Sequence, residues 1–200
     1  MPKLDQTFDN AQESTAQEFR SMEPGAYMCR VQAVRTEWTD AAGKRWTSDD
    51  KNYVKLILDI AEGENEGRFS DDYWQGSDKD WGHTLFMSWT ERALGMLKHT
   101  FSAFDEANAG FDARAAFEAD RWEMFVGKLL LVAWSGQEYE SNTGELRLRV
   151  RPDRALTGSD NMKAKVEKLD GTRVDYEEWL GGKTAQAASA PSDTYSDVPF

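Results

Sequence analysis

The stretch Tyr53-Val54-Lys55-Leu56-Ile57-Leu58-Asp59-Ile60 reads in steps of two. An extended chain puts successive side chains on opposite faces. Val54, Leu56, Leu58 and Ile60 therefore share one face, and Tyr53, Lys55, Ile57 and Asp59 share the other. The first set predicts a side turned into a core, the second a side turned outward. The same period appears upstream, from Tyr27 to Val34. There Tyr27, Cys29, Val31 and Ala33 lie on one face and Met28, Arg30 and Gln32 on the other. Between these strands, residues 39–51 read as a polar loop containing Ala42-Gly43-Lys44-Arg45-Trp46. After Ile60, Glu62-Gly63-Glu64-Asn65-Glu66-Gly67 predicts a tight polar connection into a third strand, about Arg68 to Trp74, followed by a polar loop at 75–83.

A helix is expected next. Ser88-Trp89-Thr90-Glu91 has the spacing of a capping box, and Ala93, Leu94, Leu97, Phe101 and Phe104 recur at helical intervals. A shorter helix is expected from Asp112 to Ala119. Strand character resumes at Lys128 to Trp134. Asn142-Thr143-Gly144 supplies a turn, and Glu145 to Arg151 is a last strand. The order β-β-β-α-β-β predicts a mainly β chain folded as an OB-like five-stranded barrel, with a helix between strands three and four. Closure would remove the open strand edges. The expected division is a polar N-terminal arm at 1–24, the barrel at 25–152, a C-terminal extension at 153–182, and a flexible Ala-, Ser- and Thr-rich tail at 183–200.

Composition narrows the function classes. One cysteine among 200 residues excludes an internal disulfide framework, and Cys29 reads as a buried strand thiol. No apolar run approaches the length of a membrane-spanning helix. Met1-Pro2-Lys3-Leu4-Asp5 lacks the apolar core of a signal peptide, so a cytoplasmic location away from membranes is expected. His83 and His99 do not stand in metal-ligand spacing, the Asp and Glu runs match no calcium loop, and neither a phosphate-binding loop nor a nucleophile elbow is present. The expectation is a non-enzyme without metal or cofactor.

Two features point to a polyanion. Leu146-Arg147-Leu148-Arg149-Val150-Arg151 places three arginines on one face of a strand. Like charges on one face repel, so they call for a counter-anion, either phosphates or carboxylates on a neighbouring strand; the guanidiniums could also stack on bases. The chain also holds 8 Trp, 6 Tyr and 10 Phe. Trp38 and Trp46 bracket the loop that carries Lys44 and Arg45, and Tyr53 and Lys55 share the outward face of their strand. Aromatics interleaved with cations suit base stacking beside phosphate contacts; local packing of the loop is the other reading. Against both stands a net charge of -12, from 24 Lys and Arg against 36 Asp and Glu. Phosphate contacts need positive charge, so the cations must be gathered in a local patch.

The chain ends Asp197-Val198-Pro199-Phe200. This resembles the Asp-Ile-Pro-Phe tip of bacterial single-stranded DNA-binding proteins, with Val198 in place of isoleucine. The body resembles a phage-encoded family of small OB-fold proteins that bind single-stranded DNA. The resemblance lies in Pro24-Gly25-Ala26-Tyr27, the polar insert at 39–51, and the strand entries at Gly67-Arg68 and Gly127-Lys128. It implies DNA across the barrel face, at Tyr53, Lys55, Arg147 and Arg149; Trp38, Lys44, Arg45, Trp46 and Arg151 are further candidates from the pattern of aromatics and cations above. It also implies docking of replication or recombination proteins on residues 197–200. Self-association stays open. The competing expectations are a non-catalytic protein-interaction or virion-associated structural module and, more remotely, a nuclease or glycan hydrolase.

Overall fold

The computed structural model describes residues 22–40, 42–69 and 82–188. Among these, the chain forms nine strands in two sheets and four helices. The strands are β1 Gly25–Arg35, β2 Glu37–Thr39, β3 Arg45–Thr47, β4 Tyr53–Ile60, β5 Thr84–Ser88, β6 Leu129–Glu140, β7 Leu146–Ala155, β8 Lys165–Glu167 and β9 Arg173–Asp175. The helices are α1 Ser48–Lys51, α2 Leu94–Ala107, α3 Ala113–Glu118 and α4 Tyr176–Ala188. None of the described helices is long and apolar enough to cross a membrane.

Strands β5-β4-β1-β6-β8-β9 lie side by side in one seven-stranded sheet, and β7 pairs with the other edge of β6. Strands β2 and β3 form a separate hairpin. The fold is thus mixed α/β, and the closed, mainly β five-stranded barrel expected from the sequence does not form. Closure needs a hydrogen-bonded ladder between the third long strand and the last. Here β5 and β7 come into contact, but no ladder joins them. Strand β6 also outruns β1. It pairs with β1 only over Leu129 to Trp134, and its edge at Gly136 and Gln137 takes β8 in parallel. An unpaired strand edge is a template for another strand, so the sheet grows past the barrel plan into β8 and β9.

Several local expectations are corrected. The third strand is Thr84–Ser88; Arg68 and Phe69 sit in a turn, and 70–74 lie outside the described residues. Ser88 caps no helix. Its hydroxyl donates to the Asn52 carbonyl at 3.1 Å, a 3-10 turn follows at Glu91–Ala93, and α2 starts only at Leu94. The last strand runs to Ala155 rather than stopping at Arg151, and residues 153–182 contribute β8 and β9 to the main sheet.

The core follows the period-two reading. Cys29, Val31, Val54, Leu56, Leu58, Leu130, Val132 and Trp134 are fully buried between the sheet and the helices. A register shift between Val31 and Ala33 inserts an extra residue opposite β4. Such a bulge inverts the alternation, so Val34, not Ala33, packs on the core. Helix α2 inserts Leu97, Ala103 and Phe104. Phe104, Phe111 and Phe125 meet edge to face, with centroids 5.2–6.2 Å apart. Burying rings such as Phe104 and Phe125 stabilises by roughly 1.5–3 kcal/mol each.

Two of the outward positions of β4 are covered: Ile57 is fully buried, and Asp59 nearly so. Asp59 accepts from the amides of Ile60 (2.9 Å) and Phe69 (2.8 Å) and from Gln32 Nε2 (3.2 Å). It thereby fixes the connection after β4. Phe69 lies flat between His83 (4.7 Å) and Trp134 (5.4 Å), and His83 Nδ1 is 2.7 Å from the Leu58 carbonyl oxygen.

Candidate nucleic-acid interface

The polar stretch 39–51 is not a plain loop. Trp38 pairs directly with Trp46 across the β2–β3 ladder, so both indoles stand on one face of the hairpin. The turn is held by Asp40. Its carboxylate accepts from the Ala42 and Lys44 amides at 2.9 Å each and from the Trp46 indole N–H at 2.9 Å. The Trp46 bond, then the Lys44 amide, keep the Asp40 carboxyl below the usual carboxylate range. The hairpin then enters α1 through a true capping box. Asp50 N–H donates to Thr47 Oγ1, and the Asp50 carboxylate accepts from Thr47 N at 2.9 Å.

The hairpin leans on the outward face of β4. Trp38 stacks on Tyr53, with centroids 4.9 Å apart and planes at 17°. Lys55 Nζ sits 4.8 Å from the Trp38 ring, and Tyr53 meets Phe86 edge on at 5.2 Å. Arg35, Lys55 and Phe86 lie side by side across β1, β4 and β5. Phe86 is 51% exposed although a large apolar ring. Trp46 carries a lysine over its ring on two accounts, Lys44 and Lys51, each 3.6 Å from the centroid. Arg45 departs from the group; it ion-pairs with Glu37 on its own hairpin.

The three arginines of β7 do share one face, as expected from alternation. They oppose Tyr139, Gln137 and Ser135 of β6. Arg147 bonds Glu145 at 2.8 Å, which holds its guanidinium more firmly charged. Arg149 lies 5.3 Å over the Tyr139 ring. Burial, and then the neighbouring charge of Arg149, push Arg151 below the usual arginine value.

The structure therefore brings Trp38, Tyr53 and Lys55 together, with Trp46 and Lys44 on the adjoining hairpin. It places Arg147, Arg149 and Arg151 on a different strand pair. The docking tip Asp197, Val198, Pro199 and Phe200 lies outside the described residues. Sequence reasoning missed Phe86, Arg35 and Lys51. The signal for Phe86 was present: Thr84-Leu85-Phe86-Met87-Ser88 alternates, with Leu85 and Met87 buried. The capping-box reading of Ser88 masked it. No group of three His, Cys, Asp or Glu that could hold a metal occurs among the described residues. No known protein family matches this chain, and no curated protein does.

Proposed function

We propose that this chain is a single-stranded DNA-binding protein that acts by coating the strand during phage replication or recombination. The observation that carries the reading is the Trp38–Tyr53–Phe86 row with Lys55 beside it, continued by Trp46 with Lys44 and Lys51. Every base has a π-face, so such a row accepts any sequence. Stacking a base is worth roughly 1–3 kcal/mol. An exposed lysine over an indole is worth about 0.5–1 kcal/mol. A base therefore displaces Lys44 or Lys51 from Trp46, and the freed ammonium stays within reach of the adjoining phosphate. The hairpin supplies aromatic faces and cations at one place, which the net charge of -12 otherwise disfavours.

The test is tryptophan quenching by oligo(dT), oligo(A) RNA and duplex DNA at two salt concentrations. Quenching strongest with oligo(dT) and weaker at high salt is expected. Absence of quenching by any single strand would defeat the reading. The acidity is the feature that favours the rival, a protein-interaction or virion-associated module, and that outcome would support it.

The tip Asp197-Val198-Pro199-Phe200 serves in this reading to dock replication or recombination proteins. Phe200 supplies an apolar anchor, and Pro199 limits the conformations lost on docking. Deleting the four residues should leave oligo(dT) binding intact and reduce capture of such a partner in a calorimetric titration. Equal partner affinity for the deletion and the full chain would exclude the docking role.

A further inference from the structure

The outward face of β6–β7 and the hairpin β8–β9 enclose a cleft of about 360 Å³. Its wall includes Ser135, Asp153, Arg154, Lys163, Lys165 and Arg173. Register shows why they converge. Gln137 pairs with Arg149 on one side and is level with Glu167 on the other. Glu167 in turn pairs with Arg173, and Lys165 with Asp175. Residues in register share a face, so the arginines of β7 and the cations of β8–β9 point to the same side of one sheet. Val166, between Lys165 and Glu167, is fully buried on the opposite side.

The charge here is opposite to that of the whole chain. Arg154, Lys163, Lys165 and Arg173 line the cleft with Asp153, and Glu167 and Asp175 stand beside them in register. The ion pairs are shared rather than one to one. Asp175 takes Lys163 (3.5 Å) and Lys165. Arg173 is divided between Asp153 (3.7 Å) and Glu167 (3.5 Å). Among the described residues at the cleft, four cations against three carboxylates leave a positive balance around a space lined with hydrogen-bond donors. Arg154 and Lys163 are exposed at its rim. An anion entering there meets Arg154 and Lys163 at the rim and adds counter-charge to the positive balance.

We propose that this cleft holds a phosphodiester segment of the bound strand, apart from the aromatic row that stacks the bases. The assignment rests on the single-strand reading above. It makes residues 153–175 part of the DNA-binding surface rather than a passive extension.

The experiment uses the full chain and the double variant Arg154→Ala/Lys163→Ala. Both positions are exposed, so folding should be unaffected; a charge-reversed Lys163→Glu variant provides a second, stronger perturbation. Oligo(dT) and a duplex of equal length are titrated by tryptophan quenching across a salt series. Each phosphate contact on a single strand contributes about 0.7 to the slope of log K against log salt. The double variant should lose up to about 1.4 of slope for oligo(dT) and bind several-fold more weakly at low salt. Its quenching at saturation should stay unchanged, because the stacking row is intact. Wild-type slope and affinity in both variants would overturn the cleft and leave the single-strand reading standing. Equal weakening toward duplex would also overturn it, since the cleft would then be a generic anion patch. A wild-type chain that oligo(dT) does not quench removes the reading and the cleft together.

Discussion

Phe86 separates packing from function more sharply than any other side chain of the row. It is half exposed and stands at the end of the Trp38–Tyr53–Phe86 contacts, so its removal should cost little stability. Phe86→Ala should lower oligo(dT) affinity by roughly 1–3 kcal/mol if the ring stacks on a base, with an unchanged melting temperature. Equal affinity, measured by quenching titration, would return Phe86 to incidental exposure. Cys29 gives the opposite case, a residue whose role is settled by burial. It has no exposed surface, and desolvation pushes its thiol up to about 12 against a downward pull from Trp134, with a lesser upward push from the charge of Asp59. The thiol is therefore protonated at neutral and mildly alkaline pH, and alkylation requires the thiolate. A thiol reagent at mildly alkaline pH should label Cys29 only after urea unfolding; fast labelling of the native chain would contradict its packing. Cys29 was legible in the sequence because alternation alone puts it inward. For Phe86 the alternation of 84–88 was in the sequence, but its place beside Lys55 and Tyr53 depends on which strand lies next to β4, and that choice is tertiary.

The β2–β3 hairpin with α1 is the element on which the candidate site turns. Its anchors are polar: the Asp40 turn and the Thr47–Asp50 capping box. Replacing an N-cap threonine by alanine costs about 1 kcal/mol. Thr47→Ala should loosen the hairpin, and with it the stack of Trp38 on Tyr53, more than it lowers the global melting temperature. Reduced oligo(dT) affinity with nearly native thermal unfolding is the expected result; an unchanged affinity would show that the hairpin holds its pose without the cap. The same bonds set a pH dependence. Hydrogen bonds from Trp46 and Lys44 depress Asp40, and those from Thr47 depress Asp50. A carboxyl depressed in the folded state contributes stability that is present above its unfolded value and is lost as pH falls through the folded one. The hairpin should therefore come apart in acid, below the usual carboxylate range, and not on the alkaline side. The Trp46 indole proton resonance checks this, since it should move only in that acid window. The hairpin was not legible in advance. Its strands are three residues long and carry no apolar alternation, so residues 39–51 read as a loop. The long strands β1, β4 and β6 were legible because their period persists over enough residues. The bulge in β1 still escaped notice, since it changes which residue is buried without changing the composition.

For the whole molecule, the decisive departure from expectation is that the sheet stays open and extends. Strand β6 reaches beyond β1, β8 occupies the edge it exposes, and β9 pairs outside β8. Pairing over two or three residues leaves no periodic trace, which is why residues 153–182 read only as a C-terminal extension. Glu138 ties this addition down. Its carboxylate accepts from the Trp179 indole N–H of α4 and from the Leu169 amide of the β8–β9 turn at 3.1 Å. Trp179 is 8% exposed and stacks with Tyr176 at 5.9 Å. Trp179→Ala therefore removes a buried ring and one of the two bonds to Glu138. Truncating a buried tryptophan costs roughly 3–5 kcal/mol. The loss falls on the short elements, because the β1–β4–β6 core makes its own contacts through Leu56, Val132 and Phe104. Amide exchange should show lost protection in β8 and β9 while β1 and β4 remain slow. If the cleft carries phosphate, the same variant should also lose salt slope toward oligo(dT) while still quenching at saturation, since Trp38 and Trp46 stand on the separate β2–β3 hairpin. Uniform loss of protection across all strands would mean that the extension and the core unfold as one cooperative unit. The β8–β9 unit would then be a structural member of the core rather than an addition to it.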